Sequence, residues 1–107
     1  MIPPKIENVF LEINVNIQGT INKIVAGKFV AKEFVLNTSI FTPCPYLFGT
    51  LEALPEKETF LIEGMIINSE EEEYNVDMEL FKDDEIVSIL IHNRTQIYKT
   101  ITQLNQN

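Results

Sequence analysis

The residues of this chain with the means to do chemistry are one cysteine, one histidine and a set of carboxylates. Cys44 stands alone, so no intramolecular disulfide and no cysteine zinc cluster is available. His92 offers one imidazole, enough for a single axial haem ligand. It sits where an apolar run stops, which reads as a polar residue at a strand end. Glu70 to Glu73 and Asp83-Asp84-Glu85 supply the oxygens that hard cations prefer. Neither run has the alternating spacing and the glycine of a calcium loop, so both read as solvated turns and no metal site is expected. Glu63, Asp77 and Glu79 fall in strand-like segments and are expected to face solvent rather than to pair across a catalytic cleft. No nucleophile is positioned against His92, and Gly19, Gly27, Gly49 and Gly64 are scattered instead of forming a phosphate loop. Catalysis within this domain is not expected.

The elements that must position these groups are clearest in the last third. Tyr74, Val76, Met78 and Leu80 alternate with Asn75, Asp77 and Glu79, then Lys82-Asp83-Asp84-Glu85 follows Phe81. A second apolar run, Ile86 to Ile91, completes an antiparallel hairpin. It halts at His92-Asn93-Arg94-Thr95, and a helical pattern begins. The chain also opens with a hairpin after a short lead-in, Ile2 to Val9. Phe10 to Ile17 places Leu11, Ile13, Val15 and Ile17 on one face, Gln18-Gly19 turns, and Thr20 to Val25 returns. Gly27 interrupts that pattern.

Between the hairpins, Phe29 to Ser39 suggests one or two helical turns. Thr42-Pro43-Cys44-Pro45 breaks any regular element. Tyr46 to Leu54 suggests a short helix with Leu47, Leu51 and Leu54 on one side, ended by Pro55. Thr59 to Asn68 is a strand whose two faces are both partly apolar, which points to a central place in a sheet. Gly64 marks either a bulge in it or the close approach of a ligand, the bulge being the commoner reading. Thr95 to Asn107 is helical, with Ile97, Ile101 and Leu104 spaced as a heptad seam. Thirteen residues are too few for a stable isolated helix, so the seam is expected to pair with a second copy or to continue into a longer helix.

At 107 residues and 45% apolar composition, the chain is one domain with enough apolar surface for a core. The net charge of −8 is lopsided: residues 51–93 hold 13 acids against Lys57 and Lys82. Such a half repels duplexes and anionic membranes, so neither nucleic acid nor direct membrane contact is expected. The start lacks a signal peptide, no stretch reaches the roughly 20 apolar residues of a membrane span, and a cytoplasmic location is expected.

The order of elements resembles a PAS domain over Phe10 to Leu104. FLEINVNIQGTINKIV is similar to the first hairpin of that family, and VSILIHNRTQIYKTITQLN to its last strand with the trailing helix. The resemblance implies an α+β fold: a five-stranded antiparallel sheet in the order 2-1-5-4-3, with short helices between strands 2 and 3 and a C-terminal helix. It divides the chain into a sensory domain, 1–95, and the start of a signalling or dimerisation helix, 96–107. Many PAS domains end the last strand in an Asp-Ile-Thr-like hinge. Here Asn93-Arg94-Thr95 takes that place, with Thr95 matching and Asn93 replacing the acid.

The resemblance also implies a pocket between sheet and helical segment, with Phe34, Tyr46, Leu47, Phe48, Met65, Met78 and Leu90 as candidates to line it; the same residues suit a filled core. Cys44, in CPYLFG, is set against the photoactive Asn-Cys-Arg segment of flavin-binding relatives. Prolines flank it here, and an ordinary half-buried cysteine is expected. In haem-binding relatives the ligand lies in the helical segment, unlike His92, so flavin and haem are both disfavoured and the cofactor is left open. The role expected is a sensory and homodimerising module that transmits a ligand- or partner-induced change to an output domain of the same polypeptide. Two alternatives stand beside it: a cone-like α+β binding protein or enzyme, which needs a long early helix, and a ligand-free dimerisation unit.

Overall fold

Alternating apolar residues build a five-stranded antiparallel sheet, in a computed structural model that describes residues 8–70 and 72–105, the last four by backbone alone. The strands are β1 (Phe10–Asn16), β2 (Ile21–Gly27), β3 (Thr59–Ser69), β4 (Glu72–Asp83) and β5 (Ile86–Asn93). Their order is β2-β1-β5-β4-β3, so the terminal hairpin docks its β5 against β1. The fold is α+β. The helices are α1 (Thr50–Ala53) and α2 (Thr95–Asn105), with single 3-10 turns at Ala31–Glu33 and Pro45–Leu47. No helix among the described residues is long and apolar enough to cross a membrane.

The period-two pattern decides which face is covered. Leu11, Ile13 and Val15 of β1, Val76, Met78 and Leu80 of β4, and Val87, Ile89 and Ile91 of β5 are fully buried on one face. The segment between β2 and β3 crosses that face and contributes Phe34, Ile40, Cys44, Leu47 and Leu51 to the same cluster. Each such side chain contributes about 1.5–3 kcal/mol by leaving water. This connection has no long helix among its described residues. Its three prolines, Pro43, Pro45 and Pro55, confine it to short turns, as the sequence suggests.

Two expectations about strands need correction. β3 is an edge strand, not a central one. Its second apolar set, with Leu61 and Ile66, is left about half exposed (51% and 42%) instead of covered. Gly27, expected to interrupt the second strand, ends it inside the sheet, paired with Leu11 at φ +85°. A Cβ there would overlap the Phe10 carbonyl oxygen, so only glycine fits. The Gly64 bulge is present: the β3–β4 register shifts between Ile62 and Met65, and Gly64 has φ +72°. The lead-in from Ile2 lies almost wholly outside the described residues.

Candidate functional site: a cleft beside β3 and a polar node at the exit helix

Because β3 is an edge strand, its free side is open to the turns that precede it. A cleft with a cavity volume of about 510 Å³ lies there. One wall is β3 itself, from Gly64 to Ile66 with Asn68. The other is the proline-broken segment, Thr42, Pro43, Pro45 and Tyr46, and Glu33 joins from the first 3-10 turn. The Tyr46 hydroxyl donates to the Ile66 carbonyl across the cleft at 3.2 Å. That bond ties the two walls together and uses an edge acceptor that would otherwise be open. Ser69 Oγ donates to Glu33 Oε1 at 3.2 Å, fixing the carboxylate to the end of β3.

Of the seven residues expected to line a pocket, Tyr46 and Met65 do so. Phe34, Leu47 and Met78 are fully buried in the core, filling the space that a cavity would need. Phe48 lies 78% exposed, with its ring edge-on to Phe41 at 5.4 Å. Leu90 belongs to the opposite face of the sheet, since its neighbours Ile89 and Ile91 point into the core; across the sheet it faces Glu12 and Glu79.

Cys44 is fully buried rather than half-buried, and burial pushes its thiol up to about 11. The thiolate that an adduct or a redox reaction requires is therefore suppressed. The nearby Tyr46 phenol is also raised, by burial first and then by Cys44. His92 is partly exposed at the end of β5, with its Nε2 3.8 Å from Glu79 Oε2. Among the described residues, no three of His, Cys, Asp and Glu gather closely enough to hold a metal ion.

The hinge residues form a connected joint. Asn93 Oδ1 accepts from the Thr95 N–H at 3.1 Å and from the Thr95 hydroxyl at 2.7 Å, an Asx turn that starts α2. Thr95 Oγ1 in turn accepts the Asn75 N–H at 3.1 Å, while the Arg94 N–H donates to the Asn75 carbonyl at 2.8 Å. Asn93 thus does locally what an acid would do, because an amide oxygen accepts the same two bonds. The joint is stitched to β4 as well as to β5.

The residue that gathers this corner has no signature in the sequence pattern. Asp77, expected to face solvent, has 16% of its side chain exposed. Its Oδ1 accepts the Gly64 N–H at 3.0 Å and the Tyr98 hydroxyl at 2.8 Å, and its Oδ2 lies 3.4 Å from Arg94 Nε. The Arg94 contact is an ion pair without hydrogen-bond geometry, and that Nε is buried. The carboxylate beside it holds the Tyr98 phenol above its ordinary pKa, chiefly through the hydrogen bond. One side chain of β4 therefore meets the β3 bulge, the hinge and α2. Ile97 and Ile101 of α2 remain 49% and 46% exposed; the side chain of Leu104 lies outside those described.

Compared with known proteins, the chain matches no family model, no curated protein and no solved structure.

Proposed function

We propose that this chain is a PAS-like sensory and dimerisation module of a larger signalling protein. A small ligand, or a partner, enters the cleft beside β3 and alters how that strand lies on Tyr46. The change reaches Gly64, whose N–H is held by Asp77, and passes to Tyr98 of the exit helix and to Arg94 just before it. α2 then shifts or repacks against a second copy through Ile97, Ile101 and Leu104, and an output domain of the same polypeptide reads that change. No catalytic role falls to the domain itself. The observation that carries this reading is the shared carboxylate: Asp77 Oδ1 accepts from the cleft wall and from the exit helix at once. A ligand drives such a switch only if it binds the two helix arrangements with different affinity.

The half-exposed pair Ile97 and Ile101 supports the dimer, since apolar residues one turn apart on a polar helix form a seam. The sheet order supports the family resemblance at the level of topology. The test is sedimentation of the chain with and without residues 96–107. Weaker self-association of the shortened chain is expected; an unchanged monomer–dimer balance contradicts the reading. A ligand-free dimerisation unit is the competing reading. Native mass spectrometry separates the two, because a small molecule retained on the chain is expected only for a sensor.

A further inference from the structure

The lining of the cleft beside β3 carries a chemical preference. Its polar groups are the Glu33 carboxylate, the Thr42 hydroxyl and the Asn68 amide, and its apolar surface comes from Pro43, Pro45, Tyr46 and Met65. Glu33 is the one charged group among the described lining residues. No lysine, arginine or histidine joins it. Lys32, the cation next to it in sequence, is paired with Glu70 at 3.0 Å, a bond that raises its pKa first, with a smaller attraction from Glu33. Glu33 itself is held in place by one donor on Oε1, Ser69 Oγ. The chain as a whole carries a charge of −8, so its field draws cations toward the cleft and turns anions away.

We infer that the cleft binds a small organic ammonium ion with a flat apolar body, the ammonium on Glu33 and the body between Tyr46 and Met65. The inference rests on the proposed sensory reading and names its ligand class. An ammonium supplies three donors, and the carboxylate, hydroxyl and amide oxygen all accept. A carboxylate or phosphate ligand meets no cation in the lining and would bring its charge beside Glu33. An alcohol of the same shape keeps the apolar contacts and loses the charge-assisted bond. The Tyr46 ring, steadied by the bond of its hydroxyl to Ile66, offers an apolar wall that also tolerates a nearby cation. The volume of about 510 Å³ admits a body of one or two fused rings.

The experiment compares three probes of one shape and three charges: tryptamine, tryptophol and indole-3-acetate. Each is titrated into the full chain, and the backbone amide shifts of Met65 and Asn68 are followed by NMR. Tryptamine is expected to bind about tenfold more tightly than tryptophol, the ratio that one charge-assisted hydrogen bond gives, and indole-3-acetate weakest of the three. In Glu33→Gln, tryptamine is expected to fall to the level of tryptophol while tryptophol is unchanged. That second comparison also shows that the variant is folded and its cleft intact. Equal or tighter binding of tryptophol or indole-3-acetate at the same amides overturns the ammonium assignment and leaves the cleft as a ligand site. If none of the three moves those amides, both the assignment and the sensory use of the cleft fall.

Discussion

The centre of the sheet and its β3 corner are held by different forces. β1, β5 and β4 are joined by unbroken ladders, and their inner side chains are fully buried. The β3 corner has a bulged ladder, three half-exposed apolar residues, Phe60, Leu61 and Ile66, and one carboxylate that meets three elements. Burial is non-directional and strong, so the centre has one arrangement. Hydrogen bonds near the surface are directional and individually weak in net terms, so the corner has the means to hold two. On the proposed sensory reading, the centre serves as the frame that does not yield and the corner as the joint that does.

Deleting buried volume breaks the frame most severely. Ile89→Ala is expected to cost about 2–5 kcal/mol, read from urea denaturation, with the corner and the centre unfolding together. Asp77→Ala strands the Gly64 N–H, the Tyr98 hydroxyl and the Arg94 guanidinium together. It is expected to cost about 2–3 kcal/mol and to speed hydrogen exchange in α2 far more than in β1 or β5. Equal acceleration in all three elements would erase the distinction between frame and joint.

A third effect belongs to the frame and appears with pH. The Cys44 thiol is raised from 9.0 to about 11 in the fold. Between those values the folded chain keeps a proton that the unfolded chain has lost, so stability falls as pH rises through the window. The full thiol contribution is present below about pH 9. Roughly 2 kcal/mol of it is lost by about pH 11, since each unit of pKa difference corresponds to about 1.4 kcal/mol. In Cys44→Ala the denaturation midpoint is expected to fall less steeply over that range; an identical slope would show that the thiol is not desolvated. The smallest effect on folding, and a large one on association, is expected from Ile101→Asp. It lowers the urea midpoint only modestly and shifts the chain toward monomer in sedimentation, because nearly half of the side chain is already in water within one chain.

The frame was legible in the sequence because its signal is periodic. Leu11, Ile13, Val15 and Val87, Ile89, Ile91 alternate over one face, and the positions bury as their parity requires. Parity also governs Leu90, which lies between Ile89 and Ile91 and so takes the outer face; its place among pocket candidates ignored that rule. β3 misled because apolar residues on both faces normally mean cover on both, whereas its outer set stays half exposed. The joint was legible in part. Asn93, Arg94 and Thr95 stand where the apolar run ends, and they form the hydrogen-bonded turn between β5 and α2. Asp77 was not legible, since an acid between apolar neighbours on a strand looks like any solvated acid. Its partners Gly64 and Tyr98 stand 13 and 21 residues away, and only the register of β3 and the direction of α2 bring them together.

The central claim is that the cleft and the exit helix are coupled through Asp77 and Tyr98. Its most direct test is hydrogen exchange of the α2 amides in four chains: unaltered, Met65→Trp to crowd the cleft, Tyr98→Phe to cut one contact, and the double variant. Crowding the cleft is expected to change α2 exchange in the unaltered chain and to leave it unmoved once Tyr98 is Phe. The same change in both backgrounds, or none in either, would contradict the coupling.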